Sequence, residues 1–296
     1  MHAQLRGGSI YTSTARFDGT ARALTEDELR QNVPSLFATE AHESRSAKFA
    51  VIPTWEVAKG LQAEGFSIVG AKQSVTRDPG KAPYTKHLLR LRRLDDGVKH
   101  TVNGTVFEML LRNANDGSSR YELMAALWRI LCSNSLVALS DELSSIKIRH
   151  SGNVRDDVIE GSYRVLGEAE AALAAPEEWS KIRLEPEEKA LLAQAAHVVR
   201  FGETPEGEPP AIEPKQLLIP HRPGDYGQDL WTVGNVIQEN VVKGGLTGWT
   251  RDANNNPRRT TTRAIKSIDT DVKVNKALWL INQHFANAKT GAAVAA

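Results

Sequence analysis

FSIVGAKQSVTRDPGKAPYTKHLLRLRRL, residues 66 to 94, decides how the first half of the chain folds. Two strand-like runs, Phe66 to Thr76 and Tyr84 to Leu94, flank Asp78-Pro79-Gly80, whose proline and glycine suit a chain reversal. Alternate side chains of a strand share a face. Lys86, Arg90 and Arg92 therefore point one way with Leu88 among them, and His87, Leu89 and Leu91 point toward a core.

Working outward, Pro53 opens a helix with Val57, Ala58 and Leu61 on one face and Gly65 at its end. A third strand-like run, Thr105 to Arg112, follows Asp95-Asp96-Gly97. After the turn Asn115 to Ser119, Ser119 and Glu122 have capping-box spacing, and Leu123, Leu127, Ile130 and Leu131 predict a helix over Arg120 to Cys132. The expected fold is α+β: a core of helix, antiparallel three-strand sheet and helix, with additional helices in the C-terminal half. Residues 1–48 read as an N-terminal arm with a short strand at Ser9 to Thr14 and a capped helix over Thr25 to Arg30.

Past a short strand at Ile146 to His150, helices are expected over Val154 to Ala175, Glu185 to Phe201, Gln228 to Lys243 and Asp271 to Ala288. Gly202 to Pro214 holds four Pro, four Glu and two Gly, too few apolar groups to order itself. The domain plan is thus an arm at 1–48, a core with appended helices at 49–201, a loop or linker at 202–220, and a helical region at 221–296.

Formal net charge is +1, so any polyanion site must come from local clusters. Residues 72 to 93 contain Lys72, Arg77, Lys81, Lys86, Arg90, Arg92 and Arg93 against Asp78 alone. Side chains on one strand face repeat every ~7 Å, close enough to follow a phosphate backbone. In a second cluster, Arg251 to Lys276, Arg251, Arg258, Arg259, Arg263, Lys266, Lys273 and Lys276 outnumber Asp252, Asp269 and Asp271; Arg258-Arg259 precede three threonines, whose hydroxyls also suit phosphate oxygens. Each cluster also reads as a solvated surface. Trp231, Trp249 and Trp279 could stack bases, although such residues on helices belong more often to the core.

Signals for catalysis are poor: no Walker-type loop, HExxH, GxSxG or GxGxxG after a strand occurs. Cys132 is the sole cysteine, which excludes an intramolecular disulfide and fits a buried thiol. Neighbouring acids such as Asp95-Asp96, Asp141-Glu142 and Asp156-Asp157 suit a solvated surface as well as a metal. No apolar run approaches the ~18 residues of a membrane span. A cytoplasmic protein with no cofactor, no bound metal and no membrane partner is expected.

IPTWEVAKGLQAEGF at 52 to 66, YTKHLLRLRR at 84 to 93, NANDGSSRYEL at 113 to 123 and RILCSNSLVA at 129 to 138 resemble the phage/plasmid-like family of bacterial domain-of-unknown-function proteins. RHSG at 149 to 152, NVIQENVVKGG at 235 to 245 and NKALW at 275 to 279 extend the resemblance over nearly the whole chain. It implies dealings with mobile DNA. A helix ending in Gly-Phe followed by three strands and a helix is also similar to the core of single-strand annealing proteins of the Rad fifty-two class. That likeness implies a ring or filament of identical subunits with a basic groove for single-stranded DNA.

The leading expectation is a single-stranded DNA binding and annealing protein that acts in recombination or element replication, using Lys72, Arg77, Lys86, Arg90, Arg92, Arg93, Arg258, Arg259 and Arg263. The alternative is an interaction or inhibitor module directed at a host protein through the acidic residues 151 to 215. A metal-dependent nuclease ranks last.

Overall fold

A computed structural model describes residues 11–12, 22–45, 49, 51, 53–94, 105–129, 134–136, 146–148, 154–204 and 209–291. Chain packing divides it into two compact units, Met1–Leu173 and Ala174–Ala296. The division falls inside one long helix, earlier than the loop or linker expected at 202–220.

Among the described residues, the first unit is a seven-stranded antiparallel sheet with helices against one face. In chain order the elements are β1 (Tyr11–Thr12), α1 (Glu26–Asn32), α2 (Thr54–Ala63), β2 (Phe66–Gln73), β3 (His87–Arg93), β4 (Thr105–Asn113), β5 (Tyr121–Arg129), β6 (Asn134–Leu136), β7 (Ile146–Ile148) and the larger part of α3 (Val154–Ser180). Strands β1 to β6 lie in sequence order, and β7 pairs with the other end of β5. The expected three strands are its centre, with β2, β3 and β4 paired neighbour to neighbour.

Two expectations change. Residues 24–37 are not a free arm: Leu24, Leu29, Val33 and Leu36 are buried. The capping box expected at Thr25 and Glu28 is present at the start of α1. Tyr121–Arg129 is strand β5 rather than helix. Leu123 and Leu127 stand four residues apart, a spacing that fits both one helical turn and two strand repeats. Pairing with β4, from Thr105↔Arg129 to Arg112↔Glu122, resolves it. Both faces of β5 are covered from Tyr121 to Leu127, so its sequence is a nearly continuous apolar run that hides the period of two. Cys132 and the adjacent acids at 95–96 and 141–142 lie outside the described residues.

The apolar sheet face carries Leu89, Leu91, Met109, Leu111, Leu123 and Ala125, packed by Val57, Ala58 and Leu61 of α2. Gly161 lets α3 approach this face: a Cβ there would stand 3.0 Å from Leu123 Cδ1 and 3.3 Å from Ile146 Cγ2. A glycine that weakens the helix by propensity is thus placed by packing. Buried polar groups tie the edge of this core together. His87 Nδ1 lies 3.0 Å from Ser35 Oγ, His87 Nε2 2.9 Å from Thr54 Oγ1, and Asn113 Nδ2 donates to Thr54 Oγ1 at 2.9 Å.

The second unit contains α4 (Pro186–Phe201), α5 (Leu230–Lys243), the hairpin β8 (Thr247–Arg251) and β9 (Pro257–Thr261), and α6 (Ile268–Thr290). Its core includes Trp179, Trp231 and Trp279, with ring centroids 4.6 Å apart for Trp179 and Trp279 and 6.1 Å for Trp179 and Trp231. The motif NVIQENVVKGG builds this unit. Asn240 Nδ2 donates to the carbonyls of Leu217 and Ile219, Gln238 Nε2 donates to Asn275 Oδ1 at 2.7 Å, and Glu239 accepts from Arg222 and Lys243. Ile212 and Leu217 are buried, so of the two readings, loop or linker, residues 209–220 fit a loop packed into the unit.

Candidate nucleic-acid interface

The sheet face opposite α2 is charged. Register places Lys72 beside Leu88, Leu88 beside Arg112, and Arg112 beside Glu122, which faces Lys147 on β7. Arg90 and Arg92 extend the same row on β3, while Glu108 lies on β4. Lys86, Arg90 and Arg92 therefore share a face with Leu88, as alternation predicts.

The expectation of an open basic stripe is corrected here. Lys72, Arg90 and Arg92 are 4%, 8% and 6% exposed. Arg90 grips Glu108 with two hydrogen bonds, Nε to Oε2 at 2.6 Å and Nη2 to Oε1 at 2.7 Å, and Arg92 Nη2 adds a third to Oε1 at 2.6 Å. Burial alone would push the Glu108 carboxyl up, but the Arg90 and Arg92 guanidiniums outweigh it and hold the group below the usual carboxylate range. Arg112 pairs with Glu122 in the same way. Two arginines of the predicted stripe are thus engaged inside the protein, because β4 brings an acid to their side of the sheet.

The remaining predicted residues of this unit scatter. Lys86 is half-buried just before β3, and Arg77 is exposed in the connection after β2. Arg93 lies toward the other face, where its Nη2 donates to the Glu64 carbonyl at 3.2 Å and its guanidinium sits 5.2 Å from the Phe66 ring centre.

The second predicted cluster becomes an ordered hairpin. Trp249 pairs with Arg259, Thr250 with Arg258, Arg251 with Pro257 and Thr247 with Thr261. Asp252 closes the turn: its Oδ1 accepts from the backbone N–H groups of Asn254 and Asn256, both at 2.9 Å, and Asn255 adopts φ 64°. The Asn256 amide, foremost, holds the Asp252 carboxyl below its usual range. Arg251 Nη1 donates to the Asn255 carbonyl at 2.9 Å. Arg251, Arg258 and Arg259 are exposed, and among the described residues Arg258 and Arg259 form no ion pair. Arg263 follows the hairpin, exposed, with its carbonyl accepting from Arg200 Nη2 at 2.7 Å.

Sequence reasoning missed Glu108, Arg112 and Glu122. An acid inside the apolar strand run TVFEMLLRN was the available signal, since a buried carboxylate needs a cationic partner. The tryptophans divide as well: Trp231 and Trp279 are core residues, whereas Trp249 is 63% exposed on a strand.

The class defined is an α+β protein whose first unit carries a charged, internally paired sheet face and whose second unit carries an exposed arginine hairpin. The chain belongs to the family described as "Domain of unknown function (DUF932)", which matches residues 41–279. It is similar to two proteins of Escherichia coli (strain K12), the UPF0380 proteins YafZ and YfjQ. Each is 41% identical over 261 residues, covering 88% of this chain and 90% of the relative. No solved structure matches the chain. Among the described residues no helix is long and apolar enough to cross a membrane.

Proposed function

We propose that this protein binds and anneals single-stranded DNA without catalysis, in the cytoplasm, in the service of a phage or plasmid, and as a homo-oligomer. The observation that carries the reading is the β8–β9 hairpin, where Arg251, Arg258 and Arg259 stand exposed and Asp252 is engaged in its own turn. Exposed guanidiniums, of which Arg251 among the described residues donates only to a neutral carbonyl, are able to displace counterions from a phosphate backbone. Because Glu108 engages Arg90 and Arg92, the proposed interface is this hairpin rather than the sheet, with Arg263 beside it in sequence. The order α2, β2, β3 and β4 is the order that the likeness to the Rad fifty-two class implies, whereas β5 stands where that likeness called for a helix.

The test is fluorescence anisotropy with a labelled single strand at low salt, paired with the annealing rate of complementary strands. Arg258→Ala with Arg259→Ala should weaken binding roughly equally for all sequences, as phosphate contacts do. Absence of binding by the unaltered protein, or binding indifferent to both substitutions, would overturn the reading.

The alternative of a protein-interaction module has its own support. Leu191, Val198 and Phe201 are exposed along α4, at spacings that bring them to one side of the helix. Under that reading Leu191→Glu with Val198→Glu would release a co-purifying host protein and leave DNA binding unchanged.

A further inference from the structure

We infer that the outer face of the β8–β9 hairpin is a base-stacking site for single-stranded DNA, in which Trp249 stacks on an unpaired base while Arg251 and Arg259 meet the flanking phosphates. This rests on the DNA-binding reading above and specifies how it is carried out.

A two-stranded hairpin is marginal by itself. This one is anchored at its base. Leu246 is buried, Gln216 Nε2 donates to the Thr247 carbonyl at 2.8 Å, and the backbone N–H of Trp249 donates to the Ala211 carbonyl at 3.2 Å. Gly248 passes so close to the chain that a Cβ there would lie 1.7 Å from the Ala211 oxygen. The side-chain direction of Gly248 is thus turned toward the body of the unit. Strand alternation turns Trp249 the other way, together with its cross-strand partner Arg259 and with Arg251 two residues along.

That face carries one indole, two guanidiniums and the hydroxyls of Thr247 and Thr261, whose Oγ atoms lie 3.4 Å apart. The tryptophans of this unit at 179, 231 and 279 are buried, so the exposure of Trp249 departs from the packing of its own unit. A large aromatic side chain left in water forgoes an unusually large apolar burial. A partner that supplies a flat π surface recovers it. Strand geometry sets Trp249 and Arg251 about 7 Å apart along β8, a distance one nucleotide of an extended strand can bridge. Single-stranded DNA offers both features, since every base has a π face and each nucleotide a phosphate. A duplex keeps its bases stacked internally, and an acidic peptide would satisfy the arginines while leaving the indole in water.

The experiment titrates the full chain with an oligothymidine strand at low salt and reads both anisotropy and intrinsic tryptophan fluorescence. The expected result is quenching by the single strand, with no comparable quenching by a duplex or by an abasic strand that retains its phosphates. Trp249→Ala should abolish the quench and weaken binding by about 5- to 100-fold, while Trp249→Phe retains most of the affinity. Circular dichroism of both variants should match the unaltered protein, because the side chain lies outside the core. If Trp249→Ala binds as tightly as the unaltered protein while Arg258→Ala with Arg259→Ala does not, stacking is overturned and DNA binding stands. Failure of the unaltered protein to bind any single strand overturns both. A poly-glutamate peptide that equals the DNA strand in affinity and quench makes the face a protein-binding one and overturns the assignment.

Discussion

Glu108 shows how a single residue redirects the reading of a surface. It is fully buried, accepts three hydrogen bonds from Arg90 and Arg92, and neutralises part of the charge that local sequence presents as free. Removing one member of such a group leaves uncompensated buried charge. Glu108→Gln should therefore destabilise the first unit by about 3–5 kcal/mol in chemical denaturation. The same pairing sets an acid limit. The Glu108 carboxyl titrates below its ordinary 4.5 in the folded state, so its contribution is complete above pH 4.5 and is lost as pH falls through the depressed value. Thermal melts should show Glu108→Gln and the unaltered protein converging below that pH and separating above it. At Thr25, whose Oγ1 accepts from the Glu28 amide, Thr25→Ala should cost about 1 kcal/mol.

At the scale of elements, the hairpin and β5 teach opposite lessons. Asp252, Asn254, Asn255, Asn256 and Pro257 carry local turn chemistry, and the hydrogen bonds that close the turn come from those same residues, so the cause of the reversal is local although the stretch reads in sequence only as a basic cluster. The hairpin's seat was not visible, because it depends on Gly248 meeting Ala211. Gly248→Ala should shift or detach the hairpin, at a cost of about 1–3 kcal/mol, and amide exchange at Trp249 should accelerate as its bond to Ala211 is lost. In β5 the local signals pointed to a helix. Ser119 and Glu122 have capping spacing, yet Ser119 Oγ donates to the Arg120 carbonyl and Glu122 pairs with Arg112. Edge-to-edge pairing with β4 overrode local propensity.

Across the whole molecule, charge is balanced: the net value is +1, and residues 174–296 hold fifteen Lys or Arg and fifteen Asp or Glu. A site of three arginines within a neutral unit has little long-range field, so binding should depend on short-range contact. The log of affinity should fall with the log of salt at a slope of about 2, reflecting three phosphates at ~0.7 each. A much steeper slope measured by anisotropy would mean that several protomers engage one strand, the behaviour of the proposed oligomer.

By itself the sequence determined the features whose causes are local: the three central strands and their alternation, the capped α1, the apolar face of α2, the long helices of the second half, and the basic clusters as lists of residues. Tertiary structure alone decided which of those cations are available and which aromatic rings are open. Arg90 and Glu108 are eighteen residues apart and meet because β3 pairs with β4. Trp249 is open and Trp279 closed because one lies on a hairpin seated by its backbone and the other on a helix packed into a core. Periodicity records which side chains share a face, and only the packing of distant segments determines what lies against that face.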